Sequence, residues 1–515
     1  MVSVSSSRPG VLSTCLLFAS LLACGDDKSP GDDDVADGST DGDTATETET
    51  DTGDLPGSCA EPIPPVLAAD ARLSADGSIL RDALGRDVVM RGLNTGGRNK
   101  TPPYMPFPIG DDISLEELRT AADAYFLRMH DWGLDTVRLP FSWAALEPAR
   151  DVWDEQYLDR YEVLVEAAWA AGLRVIIDFH QDIWSENFCG DGFPTRAVAD
   201  PDAPWAECPD ADWGLKYLTD ADVRSSFDRF WANEDQLIDE FHDMWAKMAD
   251  RFADHPGVVA LELLNEPGWG TASDIQQWKS EVLEPFYDEA IPLVHDLAPD
   301  LLIVYDNPGI DAAGLDPNIY HPRPAGDYLI YGPHLYGAAI FGSGGPNPLT
   351  PITRYADFGR DSQVPVLLGE FGFQPHEEDG PDWMGLVGLG LDEQRMSATM
   401  WEYSVNEALW NYENFSMVDG AGDEQLMLDT WVRPWLRAVA GSEPSFIWVE
   451  DIGTAQWVSD GGVTEIVLPP RLFAEGAGSL DITGEGACFT RDQARGELRV
   501  QAPAGATVSV LITLP

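Results

Sequence analysis

Past its first sixty residues the chain alternates short apolar runs with longer stretches whose apolar positions recur at intervals of three and four. The short runs are DVVMRGLN (87–94), DTVRLPFSW (135–143), RVIIDFHQD (174–182), VVALELLNEP (258–267), LLIVYDNPG (301–309), YLIYGPHLY (328–336), VPVLLGEFG (364–372) and SATMWEYS (397–404). Each is apolar nearly throughout instead of alternating, the mark of a strand covered on both faces. Stretches such as LEELRTAADAYFLRMHDWG (115–133) and YLDRYEVLVEAAWAAGLR (157–174) carry helical stripes between them. Eight such strands, separated by crossovers of ten residues or more, predict an α/β architecture, a (β/α)8 TIM barrel over residues 61–442. Beyond RPWLRAVAG (433–441) the texture changes. FIWVE, VTEIVLP, SLDITGEG, GELRVQAP and TVSVLITLP alternate at period two between Gly and Pro punctuation, which predicts a small C-terminal antiparallel β-sandwich over 443–515.

In such a barrel the chemistry sits where the strands end. Here the second strand delivers Arg138, the third His180, Gln181 and Asp182, the fourth Asn265 and Glu266, the sixth His334 and Tyr336, the seventh Glu370, and the eighth Trp401 and Glu402. Any one of these fits a satisfied rim residue; their convergence on one rim points to a site. LELLNEPGWG (261–270) poses the question most sharply, because a buried strand breaks off by presenting the carboxylate of Glu266. Retaining hydrolysis of a glycosidic bond needs one carboxyl kept protonated and a second ionised about 5 Å away. Strands four and seven lie across the barrel from each other, so Glu266 and Glu370 can form that pair. Glu262 and Glu402 fit it less well, since alternation along a strand decides which side chains face the site. No HExxH or clustered carboxylate spacing accompanies His180 and His334, so hydrogen-bonding roles are expected of them, with no metal and no cofactor.

Asn-Glu-Pro after an apolar strand, LLGEFG about a hundred residues on, an Arg on the second strand and a His on the third resemble glycoside hydrolase family 5, in the clan of retaining barrel hydrolases. The resemblance implies Glu266 as general acid/base and Glu370 as nucleophile. It implies Asn265 on the sugar 2-hydroxyl, Arg138 and Tyr336 in support of Glu370, His180 and His334 lining the site, and Trp401 as the platform beneath the sugar. RGLNTGGRNK (91–100), DFHQDIWSE (178–186), MWEYS (400–404) and VRPWLRAVAG (432–441), followed by a sandwich, are similar to the endoglycoceramidases, which cleave between glycan and ceramide. That likeness adds Lys100 and Asp182 as glycan contacts and a glycolipid or other β-glucoside as substrate. FCGDGFPTRAVADPDAPWAEC (188–208) departs from the pattern. The aromatics Trp184, Phe188, Phe193, Trp205 and Trp213 in and around it either hold a lipid aglycone or pack beneath a long loop. The competing readings are a β-glucosidase on glucosylceramide or a steryl glucoside, an endo-β-1,4-glucanase of the same family, and a non-catalytic surface glycan-binding protein, against which both glutamates argue.

The first 24 residues have the build of an export signal, and their Leu21-Leu22-Ala23-Cys24 ending resembles the lipobox of bacterial lipoproteins, with Cys24 as the lipidated residue. Residues 25–60 begin with an Asp, Thr, Gly and Glu run without aromatics, too polar to fold and suited to a tether. The expected location is therefore the bacterial cell envelope, anchored to a membrane, or the exterior. Net charge is −58, of which residues 1–54 account for only −10, and no basic footprint for nucleic acid is visible. With Cys15 lost in the signal and Cys24 lipidated, Cys59, Cys189, Cys208 and Cys488 form an even set in an oxidising compartment. Of three possible pairings, Cys189 with Cys208 and Cys59 with Cys488 is the one adopted. Nothing in the chain speaks to oligomeric state.

Overall fold

Each apolar run contributes one parallel strand: β1 Arg91–Asn94, β2 Thr136–Phe141, β3 Arg174–Phe179, β4 Val258–Glu262, β5 Leu302–Tyr305, β6 Leu329–Tyr331, β7 Leu367–Leu368 and β8 Ser397–Met400. They pair in the order β7-β8-β1-β2-β3-β4-β5-β6. The ring closes where Tyr331 bridges Val366 and, further along, where His334–Leu335 runs parallel to Glu370–Phe371. The computed structural model describes residues 57–514 apart from 67–68, 111, 203, 317, 338–346, 376, 407 and 474–477. The expected signal, Cys24 and most of the acidic tether lie outside the described residues.

The connecting helices form where the stripes predict them, and local chemistry starts them. Ser114 accepts the Glu117 N–H while the Glu117 carboxylate accepts the Ser114 N–H, a reciprocal cap on Leu115–Asp131. Asp154 accepts from the Tyr157 N–H and opens Glu155–Ala170. Leu237–Phe252, Glu284–Leu297, Leu349–Ser362 and Gly380–Gln394 precede β4, β5, β7 and β8. All bury apolar faces against the strands in one core.

The sandwich draws on both ends of the chain. Its larger sheet runs Ser74–Asp76, Ile79–Arg81, Asp87–Val88, Trp435–Val439, Val463–Val467, Glu497–Gln501 and Cys488–Asp492; the smaller runs Gly441–Val449, Ile452–Ser459, Thr507–Thr513 and Ser479–Thr483. Trp457, Ile466, Leu498, Val508 and Ile512 fill the space between them. The boundary expected at 443 therefore falls inside the sandwich, and residues assigned by pattern to the barrel region belong to the larger sheet. The run 87–94 likewise serves two sheets, dividing at Val89 and Met90. Periodicity reports what is buried but not which distant segment buries it, and strands of two or three residues are too short to register.

Residues 55–515 form one compact unit. Cys59 is bonded to Cys488, fastening the start of the described chain to the sandwich across 429 positions, and Cys189 is bonded to Cys208 within the loop after β3. By chain entropy, closing a loop beyond a hundred residues is worth about 4–5 kcal/mol. Replacing Cys59 and Cys488 together by Ser should lower the guanidinium unfolding free energy by about 2–5 kcal/mol while leaving the barrel's circular dichroism at room temperature unchanged.

Candidate active site

The C-terminal ends of the strands converge on one guanidinium. Arg138 on β2 has five N–H donors and uses each once: Nε and Nη2 on the two oxygens of Glu262 at 2.7 Å, Nη2 on Asn265 Oδ1 at 2.8 Å, and Nη1 on Asn94 Oδ1 at 2.9 Å and Glu370 Oε1 at 2.7 Å. Asp178 lies 3.1 Å from Nη2. All of these side chains are buried. Glu262, set aside by strand alternation as a member of the pair, thus points into the barrel as the main partner of Arg138.

Glu370 takes its second hydrogen bond from the Tyr336 hydroxyl at 2.8 Å. Burial pushes its carboxyl up, but His334, Arg138 and His180 more than reverse this and hold it below the ordinary range. Glu266 stands opposite, with one of its oxygens, His334 Nδ1 and an oxygen of Glu370 all within 4.8 Å of one another. Its Oε1 is 2.8 Å from His334 Nδ1, which is 3.6 Å from Glu370 Oε2. Burial raises the Glu266 carboxyl; the His334 hydrogen bond opposes that rise, and the Glu370 charge adds a smaller push upward.

Glu266 occupies the left-handed region, φ 41°, at the sharp turn after β4, a conformation costing a non-glycine residue about 1 kcal/mol or more. Asp306 accepts its N–H at 3.1 Å, and the Gln181 amide donates to the carbonyls of Asn265 and Glu266 at 2.9 and 2.8 Å. Asn265 donates to the Gln181 carbonyl at 3.0 Å, so these two side chains clasp the turn from both sides. Gly309, on the loop after β5, sits so close that a Cβ there would fall 2.0 Å from Glu266 Oε2.

A second wall is built by Lys100, Asp182, His180 and Trp401. Lys100 pairs with Asp182 and lies 3.4 Å from Glu413, with its ammonium 3.9 Å from the Trp410 ring centre and 4.5 Å from that of Trp401. His180 bonds Asp178 at 2.8 Å and stacks on Trp401 at 5.2 Å. Burial pushes the Asp182 carboxyl up, but Lys100 and His180 bring it down to about 2. Glu413 is pushed up to about 8 by burial, with the Lys100 charge opposing the rise.

The structure brings Lys100, Arg138, His180, Asp182, Asn265, Glu266, His334, Tyr336, Glu370 and Trp401 to one mouth. Of the loop aromatics, Trp184, Phe188 and Phe193 are buried in the core, Trp184 stacked on Phe193 at 3.8 Å. Trp205 is exposed, and Trp213 meets Trp410 edge-on. Sequence reasoning passed over Asp306, Glu413 and Trp410. Asp306 ends the fifth strand, and the strand-end rule applied to the other strands would have found it; Glu413 and Trp410 lie on an irregular loop without such a signal. The two buried sets, Glu262/Asp306/His334 and Glu266/His334/Glu370, have donor spacings a cation could use. Arg138 bonds one carboxylate of each set, Glu262 in the first and Glu370 in the second.

A family model described as Cellulase (glycosyl hydrolase family 5) matches residues 87–416. Endoglycoceramidase I of Rhodococcus hoagii (strain 103S) is 36% identical over 199 residues, 39% of this chain and 37% of that protein. The endoglycoceramidase of Cyanea nozakii is 31% identical over 258 residues, 44% and 49% of the two chains. The chain thus spans less than half the length of these curated relatives. The structure of endo-glycoceramidase II from Rhodococcus sp. in its ganglioside GM3 complex superposes with TM-score 0.68 at 27% identity, over 85% of this chain and all of that one.

The opposed shifts of the two carboxyls fix an order of titration. Glu370, lowered, stays ionised below the ordinary glutamate range; Glu266, raised, stays protonated above it. Infrared carboxyl difference spectra of the protein against Glu266→Gln and Glu370→Gln variants should therefore show Glu370 losing its proton first as pH rises, with a window bracketing pH ~4.5 in which, of the two, Glu266 is protonated and Glu370 is not.

Proposed function

The chain belongs to glycosyl hydrolase family 5, and from that premise we propose that it is a retaining β-glycosidase that cuts the bond joining the glycan to the ceramide of glycosphingolipids. The observation that carries the chemistry is the short Glu266 to Glu370 separation, within 4.8 Å between oxygens. That spacing suits retention, since inversion leaves about 6.5–9.5 Å between the carboxyls for a water. The endoglycoceramidases among its relatives support the ceramide aglycone.

In the first step Glu370 attacks the anomeric carbon while Glu266 gives its proton to the departing oxygen, so the carbon–oxygen bond to the aglycone breaks as the bond to Glu370 forms. In the second, Glu266, now ionised, takes a proton from water, which attacks the same carbon and frees Glu370. Arg138 and Tyr336 hold the Glu370 oxygens so that an ionised one faces the sugar. Asn265 and His180 border the same face. Lys100, Asp182 and Trp401 offer a cation, an anion and an indole edge to the glycan beyond it.

Export and membrane attachment through Cys24 belong to the same proposal and rest on the apolar run ending in Leu-Leu-Ala-Cys. Among the described residues no helix is long and apolar enough to cross a membrane. A Cys24→Ala chain should move from the membrane pellet to the soluble fraction on cell fractionation.

Detergent-dispersed lactosylceramide and ganglioside GM3 incubated with the protein should yield intact oligosaccharide and free ceramide by mass spectrometry. Glu370→Gln should reduce this by about four orders of magnitude or more. Release of glucose from glucosylceramide alone would replace the reading with a β-glucosidase, and cleavage of a soluble β-glucan alone with an endoglucanase. Gly309→Ala, which crowds Glu266 Oε2, should cut kcat about a hundredfold with a smaller change in KM.

A further inference from the structure

Asp306, at the end of β5, is fully buried and enters neither chemical step. Its Oδ2 accepts the Glu266 N–H at 3.1 Å and lies 3.4 Å from His334 Nε2; its Oδ1 accepts the Asn307 N–H at 2.5 Å. Tyr287 ties down its backbone from the helix behind, donating to the Asp306 carbonyl at 2.9 Å. His334 therefore has a carboxylate at each ring nitrogen: Glu266 at Nδ1 and Asp306 at Nε2. Nε2 has no aligned hydrogen bond to any group, and Gly369 packs against it so closely that a Cβ there would come within 2.9 Å.

A neutral imidazole carries one donor and one lone pair. Nε2 faces Asp306, and Nδ1 lies between Glu266 and the ionised Glu370, 3.6 Å away, so once Glu266 has given up its proton a lone pair kept on either nitrogen would point at an anionic oxygen, whereas the imidazolium offers a proton to each side. We propose, building on the glycosidase reading above, that Asp306 is a positioning residue that keeps His334 a cation between the two catalytic carboxyls and holds the backbone of Glu266 in its turn.

The charged groups facing the ring agree with this. From β4 come Glu262 and Glu266, from β5 Asp306, from the segment after β6 His334 itself, and from β7 Glu370; Arg138 is engaged by Glu262 and Glu370, while Tyr287 and Tyr331 near Asp306 are phenols held neutral by burial. Burial alone would lower the imidazole, but Asp306 above all, then Glu370 and Glu266, bring it up to about 10. Burial also pushes the Asp306 carboxyl well above the ordinary range and the His334 charge opposes that rise, while both Asp306 oxygens accept backbone N–H groups, which favours its ionised form.

The cation matters to the cycle. With Glu370 ionised, the Nδ1 side of His334 is shared between that carboxylate and the protonated Glu266; once Glu370 is esterified by the sugar, Nδ1 faces Glu266 alone and favours its ionised form, the state in which Glu266 must act as base. His334 keeps its proton throughout.

Histidine-15N-labelled protein decides the matter, with the His334 signal identified by its absence in His334→Gln. Both ring nitrogens should be protonated at pH 7–8, and Asp306→Asn should lower the midpoint by about 1–3 pH units. A neutral His334 at pH 7 in the unaltered protein, or an unchanged midpoint in Asp306→Asn, overturns the inference, and the first result needs no variant to fold. In turnover of lactosylceramide, Asp306→Asn should cost kcat about a hundredfold with KM little changed, and should cost clearly less in a His334→Gln background, where only its hold on the Glu266 backbone is left to lose; full additivity also overturns it. The nitrogen titration needs no substrate, so failure of the unaltered protein to turn over any glycolipid would sink the functional reading and leave this inference to be decided by the spectra.

Discussion

The Arg138 guanidinium is the group on which the rest of the site depends. It gathers acceptors from β1, from β4 and the turn after it, and from β7, with Asp178 of β3 in ionic contact, and does so with no donor left over. Moving a carboxylate out of water costs several kcal/mol even after relaxation. Glu262 and Glu370 could not both remain charged inside the barrel without it. Taking Arg138 away would strand those acids at about 3–5 kcal/mol for a broken buried pair, and the acids would take up protons instead. The charge on Glu370 and the barrel's integrity therefore rest on the same five hydrogen bonds.

The pair works because its two members are held differently. Glu370 has a guanidinium on one oxygen and a phenol on the other, both favouring charge. Glu266 has one imidazole contact, a strained turn and the wall of Gly309. Charge repulsion from Glu370 adds to the rise of the Glu266 carboxyl but is secondary to burial. This suits the proposed cycle: burial would persist through both steps, while the Glu370 charge would disappear when the intermediate forms, so the acid-to-base change would be carried by the smaller electrostatic part.

How much could be read in advance follows from what a strand end reveals. Arg138, His180, Asn265, Glu266, His334, Tyr336, Glu370 and Trp401 all follow apolar runs, and a polar group breaking such a run is visible without any structure. Lys100 was found only through the likeness of RGLNTGGRNK to a known subgroup. Glu413 and Trp410 lie on a loop after β8 whose course depends on contacts with the loop after β3: Asn411 donates to the Cys189 carbonyl and accepts from the Asp210 N–H. No local pattern encodes such an encounter. The sandwich was visible as alternation, yet Ile452–Ser459 and Cys488–Asp492, rich in polar residues, and the short strands from 74 to 88 escaped notice.

The first barrel strand shows how the two ends of the barrel divide their duties. Only four residues long, it carries Arg91 at its start and Asn94 at its end. Asn94 accepts from Arg138 at the mouth. Arg91 is buried at the opposite rim, 3.6 Å from Asp392, which also binds Arg433 and the backbone of Trp448 in the sandwich. Arg395 meets Asp87 on the same side. In barrels of this architecture the strand N-termini serve stability and the C-termini serve chemistry. The sandwich is fixed to the stability end, so it braces the strands whose far tips aim the catalytic groups without placing a residue among them. The disulfide-closed loop works at the other end: through Asn411 it steadies the segment that sets Trp410 over Lys100, so one staple supports the glycan wall and the other, Cys59 to Cys488, supports the base.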